Sequence, residues 1–209
     1  CGNGPSFSSG GDANWMRRMA GAGLETNRAD AARLALMLRR LAALPQPVVC
    51  CVHGNAFGGA LGLMSACDVV VAAHDTRLAL SEVRLGLVPA VISPYVVEAI
   101  GARAARRWSL TGEVFDADTA CAMGLVHVVA APGALDETLQ HLLAELLRAA
   151  PLAQREAKRL MRQLAAATAG DGTDTDAMTT ALIARIRESD EGREGLAAFL
   201  EKRKPAWRC

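Results

Sequence analysis

Two glycine-rich segments constrain this chain more than anything else in it: Phe7-Ser8-Ser9-Gly10-Gly11-Asp12 and His53-Gly54-Asn55-Ala56-Phe57-Gly58-Gly59-Ala60-Leu61-Gly62. Each is followed by a stretch that reads as helix. Glycines at such turns let a ligand oxygen approach the main chain, and a helix N-terminus adds a favourable partial positive charge. Residues 48–52 are a continuous apolar run, which predicts a strand buried on both faces. Residues 58–66 predict a helix leaving the second loop, and 68–72 and 77–80 two more strands. Strand, glycine turn, helix, strand is the order of an α/β core.

Upstream of that core, helices are expected over 14–20 and 27–43, the second ended by Pro45 and Pro47. Beyond Ser93 the pattern turns helical (94–100, 102–110, 116–123), with one more strand over 126–130. Helices over 135–149, 151–167, 176–188 and 191–202 follow, with Gly170-Asp171-Gly172-Thr173-Asp174 as a polar hinge before the last two. The division expected is an α/β core over 1–130 and a helical region over 131–209.

A chain of 209 residues with 51% apolar and 22% charged residues has the makings of one good-sized globular domain, or a domain with an appendage. Aromatics are only 4%, so the core has to rest on Ala, Leu and Val. A formal net charge of +1 gives no global reason to expect nucleic acid or an anionic membrane as partner, and no apolar run is long enough to span a bilayer. Cys1, Cys50, Cys51, Cys67, Cys121 and Cys209 follow neither metal-ligand nor disulfide spacing, and His53, His74, His127 and His141 are scattered. The expectation is small buried thiols in a reducing cytoplasm, and no metal.

The residues also bound the chemistry. Two glycine loops converging on one point make an oxyanion hole. The later run Leu80-Ser81-Glu82-Val83-Arg84-Leu85-Gly86-Leu87-Val88-Pro89 sets one carboxylate among apolar neighbours. Partial desolvation there raises a carboxyl pKa and suits it to proton transfer. Donors for a developing enolate plus one acid/base group point to acyl-thioester chemistry. Arg84, two residues after Glu82 in what reads as an extended segment, is a candidate counter-charge on the same side, although such an arginine is more often structural. Asp12, a candidate substrate-binding residue beside Gly11, is better placed to cap the helix that starts near Asn14 than to take part in catalysis.

Taken in order, F-S-S-G-G-D, H-G-N-A-F-G-G-A, C-D-V-V-V-A, S-E-V-R-L-G-L-V-P, the segment 119–126 and the terminal F-L-E-K-R-K-P-A-W resemble the enoyl-CoA hydratase/isomerase (crotonase) family from Phe7 to Trp207. Within it, Asn14-Trp15-Met16, Phe57-Gly58-Gly59-Ala60-Leu61-Gly62-Leu63 and Pro89-Ala90-Val91-Ile92-Ser93-Pro94 look most like bacterial methylglutaconyl-CoA and isohexenylglutaconyl-CoA hydratases. The resemblance implies a β-β-α spiral core followed by a helical C-terminal region. It implies oxyanion donors at the backbone N–H of Gly11 and Gly59 and an acid/base role for Glu82. Ser9 and Gly10 in the first loop, and Gly58 in the second, would meet the coenzyme A thioester, and Trp15 would line the acyl pocket or simply pack.

The position three residues on from Gly59, where many family hydratases carry a second carboxylate, holds Gly62. One account is that Gly62 removes a carboxylate that would repel the distal carboxylate of a glutaconyl group and leaves room for it. Lys202 and Lys204, flanking Arg203, would reach coenzyme A phosphates, often those of a neighbouring subunit. No cofactor beyond the coenzyme A substrate is implied. Family members begin further upstream than Cys1, with strands and a helix that belong to the same fold, so a longer N-terminal portion is expected. Trimers, commonly paired into hexamers, are implied too, and Met178, Leu182, Ile183, Ile186, Leu196, Phe199 and Leu200 supply apolar surface for them. The alternatives are a double-bond isomerase, a non-catalytic acyl-CoA-binding homologue, and RNA binding; four Phe, one Tyr and a charge of +1 lend the last little support.

Overall fold

The computed structural model describes residues 1–166 and 173–208. Two three-stranded sheets form a mixed α/β fold followed by a helical C-terminal region. Chain packing divides it into two units: Cys1–Leu44 with Val48–Gln140, and Pro45–Pro47 with the chain from His141 onward.

In the first unit, α1 (Ala13–Ala20) and α2 (Leu24–Ala42) precede β1 (Val49–Val52). The second helix begins three residues earlier than its apolar spacing suggests. The Asn27 side-chain amide donates to the carbonyls of Ala22 (2.8 Å) and Met19 (3.1 Å), tying the incoming turn to the helix. Strand β1 pairs in parallel with β3 (Val69–Ala73), which pairs in parallel with β6 (Val128–Ala130). Cys50 and Cys51, neighbours on opposite faces of β1, are both buried, as a parallel strand covered on both faces demands. A side-chain contact with Cys67, reinforced by burial, pushes the Cys50 thiol up, and burial does the same to Cys51. Cys1 and Cys121 are exposed, against the expectation of uniformly buried thiols.

The second sheet is β2 (Asn55–Phe57), β4 (Arg77–Ala79) and β5 (Phe115–Asp116), with β2 parallel and β5 antiparallel to β4. Between β2 and β3 runs α3 (Gly59–Ser65), and its buried face of Ala60, Leu61, Gly62 and Met64 meets α4 (Ser93–Thr111). Helix α4 is broken at Gly101, whose φ of 73° and ψ of 156° are open only to glycine at low cost. A short α5 (Ala117–Ala122) leads into β6. The core is aliphatic, built on Leu38, Val52, Leu61, Met64, Val70, Leu78, Leu80, Val96, Leu125 and Val126, with Ala56, Ala72, Ala117 and Ala120 where elements approach closely.

α6 (Leu135–Arg148) crosses the boundary between the units, and α7 (Pro151–Ala166), α8 (Thr173–Glu188) and α9 (Asp190–Leu200) follow. Residues 170–172 of the expected hinge, and 167 of the expected α7, lie outside the described residues, while Thr173 and Asp174 already belong to α8. Glu191 on α9 accepts the N–H groups of Leu152 (2.9 Å) and Ala153 (2.8 Å), satisfying two of the open donors at the start of α7. Among the described residues no helix is long and apolar enough to cross a membrane.

Candidate active site

The site assembles in the first unit, where the first glycine loop is stitched to the second. Phe7 N–H donates to the His53 carbonyl (2.8 Å), Ser8 N–H to Asn55 (2.9 Å), and Phe57 N–H back to Ser8 (3.1 Å), so Ser8 forms a parallel bridge with Ala56. Gly11 lies three residues past Ser8, and Gly59 three residues past Ala56. Two adjacent strands running in the same direction thus deliver the two glycines at the same offset beyond their last shared bridge. Neither the Gly11 nor the Gly59 N–H donates to an acceptor among the described residues. Gly59 is the first residue of α3 and is exposed; a Cβ built there meets nothing within 4 Å. An open donor at a helix N-terminus, facing free space, is the local geometry an anionic oxygen needs.

The turn that delivers Gly59 depends on Gly58, whose φ of 57° and ψ of −121° suit glycine. Its N–H is spent on the Ala79 carbonyl (2.9 Å), which anchors the loop to β4 and leaves the next N–H free. A Cβ on Gly58 would stand 3.3 Å from Glu82 Oε1, so the carboxylate lies against the Gly58 backbone, one residue from the open donor. In the first loop Gly10 adopts a φ of 109°, and its N–H reaches Ser8 Oγ at 3.3 Å. Ser9 is exposed. Asp12 caps α1 by accepting the Trp15 N–H at 2.7 Å. Gly11 is exposed, yet α1 stands close by: a Cβ there would come within 2.7 Å of Met16 Cε and 3.5 Å of the Trp15 ring. Arg33, at 2.8 Å, holds the Asp30 carboxyl below its ordinary range, with a smaller contribution from the Trp15 side chain.

Glu82 opens a 3-10 turn, Glu82–Leu85, in place of the extended segment expected from the alternation of polar and apolar residues. Gly86, at φ 72°, closes the turn, and the N–H groups of Arg84, Gly86 and Leu87 return to Ser81, Val83 and Glu82. Glu82 is half-buried and its Oε2 is buried without a hydrogen-bond partner among the described residues. Burial pushes its carboxyl pKa up, opposed weakly by its own backbone N–H. Leu80 supplies buried apolar surroundings, while Leu85 turns outward.

Two expectations change with this geometry. Arg84 does not share a side with Glu82, because residues two apart in a 3-10 turn face different ways. Its side chain lies across Gly112, with Cγ and Nε 3.1 and 3.2 Å from where a Cβ of Gly112 would sit. Gly112 is the left-handed cap of α4, and a cation is favoured at that end of a helix. Gly62 does not leave a space for a substrate carboxylate either, since a Cβ there would stand 2.3 Å from Ile92 Cγ2. The volume belongs to Ile92.

Lys202 and Lys204 lie in the second unit. Lys202 adopts φ 54° at the end of α9, and Arg203 between them is engaged by Glu194 and Glu201. Sequence reasoning missed Ile92 because its significance lies in a contact with a residue thirty positions away. Among the described residues no three His, Cys, Asp or Glu side chains gather as metal ligands.

A family model described as enoyl-CoA hydratase/isomerase matches residues 1–209. The fold superimposes on the crystal structure of an enoyl-CoA hydratase from Shewanella pealeana with a TM-score of 0.92 and 45% identity, over 98% of this chain and 76% of that one. The chain is 33% identical to an enoyl-CoA isomerase/hydratase of Mycosarcoma maydis, over 97% of its own length and 73% of the relative's. It is 31% identical to a 2,3-dehydroadipyl-CoA hydratase of Escherichia coli, over 98% and 79%.

Proposed function

Since this chain belongs to the enoyl-CoA hydratase/isomerase family, we propose that it hydrates an α,β-unsaturated acyl-CoA with Glu82 as the proton-transferring group. The observation that carries this reading is Glu82 Oε2, buried and unpartnered, on a carboxylate that lies against Gly58, next to the free N–H of Gly59. As water attacks the β-carbon, negative charge collects on the thioester oxygen. The N–H groups of Gly11 and Gly59 take that charge, each donor being worth about 3–4 kcal/mol in the transition state. Glu82 accepts the water proton and a proton is returned to the α-carbon, so the elements of water add across the double bond. Burial that lifts the Glu82 pKa toward the working pH suits a group that must both take and give a proton.

The thioester is the substrate, and no further cofactor enters the scheme. The acyl group we favour is a branched glutaconyl chain. Support comes from the motif resemblance and from a relative named for 2,3-dehydroadipyl-CoA, an acyl group that also carries a distal carboxylate. Gly62 contributes by keeping a repelling carboxylate away and not by leaving room, and Arg84 lies across Gly112. Loss of the absorbance of the conjugated thioester, followed for crotonyl-CoA and 3-methylglutaconyl-CoA, tests both levels. Turnover of either supports hydration, and a higher kcat/KM for crotonyl-CoA rejects the branched substrate.

A second reading, double-bond isomerisation, is favoured by the glycine at position 62, because one carboxylate suffices to carry a proton between two carbons of the same substrate. Product analysis by mass separates the two, since only hydration adds the mass of water. For the assembly we propose homotrimers or hexamers. Leu196, Phe199 and Leu200 of α9 are exposed and offer apolar surface for that purpose. Light scattering that gives a monomer at micromolar concentration rejects this.

A further inference from the structure

We propose that Ile92 is a specificity-determining residue of the Glu82 site, paired in size with Gly62 so that the γ2 methyl of one fills the volume denied to a side chain of the other. The inference rests on the function proposed above. Gly62 follows the donor Gly59 by three residues in α3, which puts the two on one face of the helix, a turn apart. Backbone conformation does not demand glycine here, because Gly62 has none of the left-handed φ values found at Gly58, Gly86 or Gly112. A neighbour demands it. A Cβ on Gly62 would stand 2.3 Å from Ile92 Cγ2 and 2.6 Å from Ile92 Cβ, both well inside contact distance.

Ile92 is poorly able to yield. It is 3% exposed, its carbonyl accepts the N–H groups of Tyr95 and Val96 at 3.1 Å, and its branched Cβ restricts χ1. It immediately precedes α4, and α4 packs both on α3, which carries Gly59 and Gly62, and on the Glu82 turn. The volume one helical turn from the oxyanion donor is therefore filled by hydrocarbon from the residue that leads into α4, where α3 would otherwise supply a side chain of its own. Two consequences follow. Glu82 receives no polar help from position 62, in keeping with its unpartnered Oε2. At 3% exposed, Ile92 backs the acyl site from behind α3 and does not line it, so shortening that residue opens volume there and favours substrates branched at the α-carbon.

A cycle of Gly62→Ala, Ile92→Ala and the double variant tests this, read by melting midpoint and by the ratio of kcat/KM for tiglyl-CoA, which is α-methylated, to that for crotonyl-CoA. Gly62→Ala should lower the midpoint by about 3–10 °C, as overpacking does in a domain of this size. Ile92→Ala lowers the midpoint by itself, through the cavity it leaves, and in that background Gly62→Ala should cost nothing further. Ile92→Ala should raise the tiglyl-to-crotonyl ratio at least about tenfold, the discrimination that a methyl-sized change of pocket supports. Additive midpoint changes would overturn the size pairing, and a ratio that moves less than tenfold would overturn the specificity role. A wild-type protein that turned over neither thioester would count against the proposed function instead, while the midpoints would still decide whether the two residues are paired.

Discussion

Glu82 and Glu194 are treated in opposite ways by this molecule. Glu194, near the surface of the second unit, is gripped by both Nη atoms of Arg203 at 2.6 and 2.8 Å and also accepts the Ala206 N–H at 2.8 Å. Arg203, and after it that backbone N–H, push its carboxyl down to about 2. It staples the chain end back onto α9, and its ion pair is the kind that contributes modestly to stability. Glu82 has apolar surroundings, a buried oxygen without a partner, and a pKa moved the other way. A carboxylate with both oxygens engaged serves the fold. One left partly desolvated and unoccupied burdens the fold and is available to a substrate.

Three changes would break or sharpen that contrast. Gly59→Pro has the largest expected effect. Proline is tolerated as the first residue of a helix, so the variant deletes the open N–H donor with little demand on α3. Turnover should fall by about 10²–10³-fold, while Gly59→Ala, which keeps the N–H and meets no neighbour, should lose far less. Steady-state kinetics on crotonyl-CoA reads the difference.

Gly58→Ala comes next. It places a Cβ 3.3 Å from Glu82 Oε1 and forces a side chain into φ 57°, ψ −121°. The cost should be about 1–3 kcal/mol in urea unfolding, accompanied by a loss of kcat as the carboxylate is displaced.

The smallest effect is in the pH dependence of stability, where the two glutamates should give opposite signs. Glu82 is raised, so wild type bears no penalty below the ordinary carboxyl value of 4.5 and loses stability as pH rises through the folded value. Glu82→Gln should therefore be more stable than wild type at neutral pH, with the advantage gone below 4.5. Glu194 is lowered, so its contribution is complete above 4.5 and is lost as pH falls toward about 2. Glu194→Gln should be slightly less stable at neutral pH, the deficit closing near the acid end. Unfolding midpoints from pH 3 to 8 check both signs.

What could be read from sequence differs between the regions for physical reasons. The apolar runs of β1 and β3 and the glycine loops announce themselves, because buried parallel strands need unbroken hydrocarbon and the turns at Gly10 and Gly58 use conformations that other residues resist. The 3-10 turn at Glu82 was hidden, since Glu82-Val83-Arg84-Leu85 alternates like a strand and only Gly86 hints at closure. Strand β2, three residues long and borrowing its partners from β4 and from Ser8, has too little pattern of its own. The Gly62–Ile92 contact joins a residue of α3 to the one that precedes α4, and nothing in either local sequence declares it.

The account rests on Glu82 moving the proton, and the most direct measurement is kcat for Glu82→Gln on a conjugated acyl-CoA beside the KM or binding constant for the same thioester. Glutamine keeps the shape and removes the exchangeable charge. The account predicts a fall in kcat of about 10²–10⁴-fold with binding nearly unchanged, since proton transfer acts in the transition state. A variant that keeps kcat within a few-fold of wild type would contradict it and place the acid/base group elsewhere.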